Sequence, residues 1–81
     1  MKYEVDVCIG KPLDERTRRF LETVQHSANR VIRFAGGQRS LTITVEVTGA
    51  GRTDALRAAA GEVARIFPGC VNEKYGEPRE T

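Results

Sequence analysis

Val5, Val7 and Ile9 alternate with Glu4, Asp6 and Cys8, and Leu41, Ile43, Val45 and Val47 alternate with Thr42, Thr44, Glu46 and Thr48. A period of two sends successive side chains to opposite faces of a strand, so both segments read as strands with one apolar face and one polar face. The polar face is threonine and carboxylate. It carries no interleaved aromatic and no nucleophile paired to a base, which points to a scaffold rather than to a reaction.

With 81 residues, 40 % of them apolar, the chain has material for one small core. Thirteen basic and 11 acidic residues leave a net charge of +2, and the two signs are interspersed, so no general attraction to nucleic acid is expected. No stretch approaches the roughly 20 apolar residues that cross a bilayer, and Met1, Lys2, Tyr3 and Glu4 do not open a secretion signal. The expectation is a cytoplasmic protein without membrane association. Residues 1–75 read as a single α+β domain, and residues 76–81, polar and interrupted by Pro78, as a flexible C-terminal tail.

Along the chain, Lys2 to Ile9 is the first strand, ended by Gly10, Lys11 and Pro12. Leu13, Thr17, Phe20, Leu21, Val24 and Ala28 then recur at helical spacing, with Asp14 and Glu15 at the end that favours negative charge. Asn29 is the expected helix end. Residues 30–35 read as a second strand with Ile32 and Phe34 facing inward, and Gly36, Gly37 and Gln38 as a hairpin whose glycines supply positive φ angles. The strand from Leu41 to Val47 follows. After Gly49, Ala50 and Gly51, Thr53 is a candidate N-cap for a helix packed through Ala55, Leu56, Ala59, Ala60, Val63, Ile66 and Phe67. Pro68 and Gly69 end it, and Cys70 to Tyr75 is the last strand, with Val71 and Tyr75 inward.

The order βαββαβ predicts a ferredoxin-like α+β fold, with two helices on one face of a four-stranded antiparallel sheet of order 4-1-3-2. The first and third strands are then central neighbours, and their polar faces merge. Glu4, Asp6, Thr42, Thr44 and Glu46 form the expected partner-binding patch, flanked by Arg33 on one edge and Lys74 on the other. Facing carboxylates across strands cost tenths of a kcal/mol, so such a patch is offset by the flanking bases or completed by a partner.

Two other surfaces carry weaker signals. Arg30, Arg33 and Arg39 on the outer hairpin offer phosphate contact, although RNA-binding modules of this topology stack bases on central-strand aromatics of the open face, where this chain has none, since Tyr3 shares the inward parity of Val5 and the third strand has no aromatic. Gly49, Gly51 and Arg52 precede a helix and offer amides plus a guanidinium to a small anion, without the spacing of a Walker loop. Cys8 and Cys70 fall on neighbouring strands with polar-face parity, close enough for a disulfide to be conceivable, although a reducing compartment favours two thiols. Two cysteines and the lone His26 fall short of a zinc site, and no nucleophile elbow or tuned carboxylate pair is present. No catalytic residue, metal or cofactor is expected.

The expected function is that of a small non-enzymatic protein-protein interaction or regulatory module, such as an inhibitor or adaptor of a larger assembly. It would act through the open sheet face or an edge strand, on another protein or on a second copy of itself as a homodimer. The alternatives are a nucleic-acid-binding accessory protein that uses the hairpin arginines, and a small-anion sensor that uses the Gly49 to Arg52 turn.

Overall fold

A computed structural model describes residues 1–28, 30–69 and 73–81. The expectations placed on Asn29, Cys70 and Val71, and on the side chains of His26 and Ala28, lie outside the described residues. The elements run β1 (Lys2–Ile9), α1 (Glu15–Ala28), β2 (Val31–Gly36), β3 (Leu41–Thr48), α2 (Arg52–Ile66), β4 (Lys74–Tyr75) and β5 (Arg79–Glu80). The sheet is antiparallel with order β2-β3-β1-β4, the order expected from the sequence, and β5 also pairs with β1.

The centre of the sheet follows from the alternation. β1 and β3 pair without a break from Lys2 opposite Thr48 to Ile9 opposite Leu41. Tyr3, Val5, Val7 and Ile9 therefore lie on the same face as Leu41, Ile43, Val45 and Val47, and all eight are buried. Leu21 of α1 and Ala55, Ala59 and Val63 of α2 close over this face to complete one core. The two alanines let α2 approach the sheet closely, which a larger side chain at either position would prevent. No helix among the described residues is long and apolar enough to cross a membrane.

Helix ends depart from the expected chemistry in one place. Asp14 caps α1 as its position suggests, its Oδ1 accepting the Thr17 amide at 2.8 Å. That bond holds the Asp14 carboxyl below its ordinary value of 3.8. For α2 the cap residue is Gly51, in extended conformation and without a side-chain hydrogen bond, so Thr53 lies inside the helix instead of capping it. Asp54 serves that end by accepting the Ala50 amide at 3.3 Å.

Of the hairpin glycines, Gly36 is needed for a different reason than expected. Among the described residues Gly69, just past α2, is the glycine with a positive φ, at 80°. At Gly36 the requirement is space: a Cβ there would lie 2.7 Å from the Leu41 Cα and from the Ser40 carbonyl oxygen. Gly37 then closes the turn by donating to the Ser40 carbonyl at 3.0 Å.

Both outer strands are irregular. In β2, Val31 faces Val45 and Arg33 faces Thr44, so Ile32 is an extra residue, a bulge. The expected inward pair Ile32 and Phe34 is corrected to Val31 and Phe34, because one inserted residue reverses the parity of everything before it. Val31 is buried and Phe34 packs partly against the core.

On the other edge, Val7 faces Tyr75 and Glu4 faces Arg79, so residues 76–78 oppose only Val5 and Asp6. This too is a one-residue bulge, and it contains Pro78, which has no amide to give to a ladder. Within residues 76–81, Arg79 and Glu80 pair with β1 beyond the bulge. The Gly76 amide donates to the Asp6 carbonyl at 2.7 Å, the Thr81 amide donates to the Lys2 carbonyl at 2.9 Å, and Pro78 is buried. Tyr75, expected inward, lies on the core side of the register but at the sheet edge, 37 % exposed. Its hydroxyl donates to Glu73, and partial burial with that carboxylate pushes the phenol up to about 12.

Candidate functional site

One face of the sheet is covered by the helices, and the other presents the polar residues of β1 and β3. The register brings the expected patch together: Glu4 faces Glu46, Asp6 faces Thr44, and Cys8 faces Thr42. Two facing glutamates at the centre of a sheet repel, and the arginines of the edges offset that repulsion. Arg33 of β2 reaches Glu4 at 3.1 Å. Arg79 of β5 donates to both oxygens of Asp6, at 2.9 and 3.2 Å, and lies 3.6 Å from Glu4. The Thr44 hydroxyl, itself buried, donates to Asp6 Oδ1 at 2.6 Å.

Asp6 consequently has three hydrogen bonds to its charged form. Those from Arg79, and then that from Thr44, hold its carboxyl below the ordinary 3.8 despite partial desolvation. Asp6 in turn pushes the Arg79 guanidinium further up, with a smaller contribution from Glu4. Glu46 is half-buried on the same face and makes no ion pair among the described residues.

Arg79 is the residue that sequence reasoning missed. By simple alternation Tyr75 and Arg79, four residues apart, would share a face. The bulge at residues 76–78 separates them and turns Arg79 onto the open face opposite Glu4. Arg33 flanks the patch as expected, and so does Lys74, which faces Cys8 at the other edge. Cys8 is a half-buried free thiol on this face, and the expected proximity of Cys70 lies outside the described residues.

The hairpin arginines are not brought together. The Arg30 guanidinium reaches Glu62 of α2 at 2.7 Å, on the helix side, whereas Arg33 pairs on the open face. Arg39 stands exposed in the hairpin turn. Glu62, another residue that periodicity does not single out, is nearly buried and also accepts from Arg65 at 3.2 Å. It ties the start of β2 to α2 and so holds Arg30 away from the patch.

The glycine turn before α2 is filled by the chain's own carboxylates. Ala50 donates its amide to Asp54, the Gly49 amide donates to the Met1 carbonyl at 3.1 Å, and Arg52 pairs with Glu77 at 2.6 Å. Gly49 is demanded by packing, since a Cβ would lie 2.9 Å from that of Asp54. Gly51 faces open space and serves as the helix cap.

Among the depressions near these residues is a small one of about 180 Å³ bordered by Arg30, Glu62 and Arg65. A shallow one of about 240 Å³ on the open face is bordered by Asp6, Arg33, Thr42 and Thr44. A larger groove of about 490 Å³ runs between the helices, floored by Phe20, Ile66, Phe67 and Pro68. Phe20, 43 % exposed, stacks at a tilt on Phe67 there with centroids 5.6 Å apart. Among the described residues no group of three or more His, Cys, Asp or Glu is placed to hold a metal ion. The chain matches no protein-family model, no curated protein and no solved structure.

Proposed function

We propose that this chain is a protein-interaction module of ferredoxin-like arrangement that docks a basic surface of another protein onto its open sheet face. The observation that carries the reading is that Glu46 has no ion-pair partner among the described residues. Glu4 and Asp6 have arginine partners, while Glu46, between them and the β2 edge, has none among the described residues. A half-buried carboxylate on a rigid two-strand platform, ringed by threonine hydroxyls, is a ready acceptor for an arginine or lysine brought by a partner.

The nucleic-acid alternative is less well supported, because Arg30 and Arg33 already have carboxylate partners. The anion alternative is weaker for the same kind of reason, as the turn's Ala50 amide and the Arg52 guanidinium are engaged internally.

The test is capture of partners from lysate of the source cells, with and without nuclease, by the wild-type chain and by Glu46→Lys. A protein retained after nuclease and lost with Glu46→Lys, while the circular dichroism spectrum is unchanged, supports the reading. Equal retention by both chains moves the docking surface elsewhere, and retention that disappears with nuclease favours the arginine alternative.

A further inference from the structure

We infer that residues 76–81 are a built-in occupant of the β1 edge, and that an extended partner segment presenting an arginine opposite Glu4 takes their place. This inference rests on the docking role of the open face and names the shape of what docks.

The argument starts from how lightly the segment is held. It contributes one two-residue strand, the amide bonds of Gly76 and Thr81 to β1, and one buried side chain, Pro78. Its remaining anchors are ion pairs at the surface: Arg79 with Asp6 and Glu4, and Glu77 with Arg52, all with side chains substantially exposed apart from Glu4. Segments with little buried apolar area and exposed hydrogen bonds open at a small fraction of the global unfolding free energy. The seat beneath is the opposite. β1 is bonded along its whole length to β3 and its apolar face is fully buried, so the seat persists when the segment lifts.

The seat also specifies its occupant. A strand entering antiparallel to β1 gains backbone hydrogen bonds from the edge regardless of sequence, as in other strand-addition complexes. Specificity then comes from the residue opposite Glu4, where Asp6 offers two carboxylate oxygens in the geometry that a guanidinium fork matches. Lysine would supply charge without the fork. While Arg79 holds that position it lowers the apparent affinity for any such partner by the fraction of time the seat is filled.

The experiment uses the full chain and a synthetic peptide with the sequence of residues 76–81, followed by the amide resonances of β1. In an Arg79→Glu chain the peptide is expected to perturb the amides of Lys2 to Asp6 at a concentration about tenfold lower than in the wild-type chain. The same peptide with glutamate for its arginine is expected to leave them unmoved. In the wild-type chain without peptide, the amides of Gly76 and Thr81 should exchange with deuterium much faster than those of Val5 and Val45. Equal protection of all four amides overturns the inference whether or not Arg79→Glu folds, and so does equal binding of the two peptides. Where Glu46→Lys abolishes capture of a partner but Arg79→Glu leaves its affinity unchanged, the docking face stands and the inference fails. If neither substitution alters capture, the docking face itself fails.

Discussion

Strands β1 and β3 pair residue for residue over their whole length, whereas each outer edge of the sheet carries one extra residue, Ile32 in β2 and one among 76–78 in the β4 to β5 stretch. The difference follows from what each strand must satisfy. A central strand is bonded on both sides, and slipping it by one residue would send Val5, Val7 and Ile9 into water. An outer strand is bonded on one side and can take an insertion with a local kink. Here both insertions serve the same end. Each lets one strand give an apolar or aromatic residue to the core side, Val31 or Tyr75, and an arginine to the open face, Arg33 or Arg79. The regular centre supplies the carboxylates, and the irregular edges supply the cations that offset them.

The largest effect should come from the same truncation made in the two regions. Ile43→Ala, at a fully buried site in β3, should lower the unfolding free energy by about 3 kcal/mol, whereas Ile32→Ala, in the half-buried bulge, should cost about 1 kcal/mol. Urea denaturation of both variants checks this, and equal losses would remove the distinction between centre and edge.

Deleting Ile32 tests the bulge itself. Val31 would still face Val45 and Arg33 would still face Thr44, so the fold should survive, although the Gln25 side-chain bond to the Ile32 carbonyl, 2.6 Å long, is lost. The edge then becomes an unbroken ladder, and such edges pair with one another. Sedimentation at rising concentration should show stronger self-association than the wild-type chain shows. A deletion variant that self-associates no more than the wild-type chain would mean the bulge is not what guards this edge.

The smallest effect concerns the arginine on the opposite edge. A carboxylate held below its ordinary 3.8 contributes stability that is fully present above that pH and is lost as the pH falls through its folded value. Wild-type stability should therefore decline as the pH is lowered below about 4, and Arg79→Ala should flatten that decline by removing the first cause of the Asp6 shift. At neutral pH the same variant should lose less than Ile32→Ala, since the pair is open to solvent. An unchanged acid slope in Arg79→Ala would show that Thr44 alone holds the Asp6 carboxyl down.

How far the sequence could be read depended on whether a local rule stayed valid over the whole element. Alternation holds for every residue of β1 and β3, so Glu4, Asp6, Thr42, Thr44 and Glu46 could be assigned to one surface before any coordinates were known. The same rule failed at Ile32, because the parity of a strand carries no mark of an inserted residue. It failed again after Tyr75, where an inserted residue among 76–78 turns Arg79 to the opposite face. Glu62 escaped for another reason: a charged residue on a mostly apolar helix face reads as a boundary of that face until a partner such as Arg30 comes to it from another element.

By itself the sequence determined the two central strands, the faces of the two helices and the order in which the elements lie, because each rests on burying apolar side chains at a fixed period. The tertiary structure alone decided which cations meet which carboxylates. Arg30, Arg33 and Arg79 are alike in chemistry, and their separate destinations at Glu62, Glu4 and Asp6 depend on strand register and on two insertions. Those are set by the summed pairing of distant segments, which no local pattern of residues records.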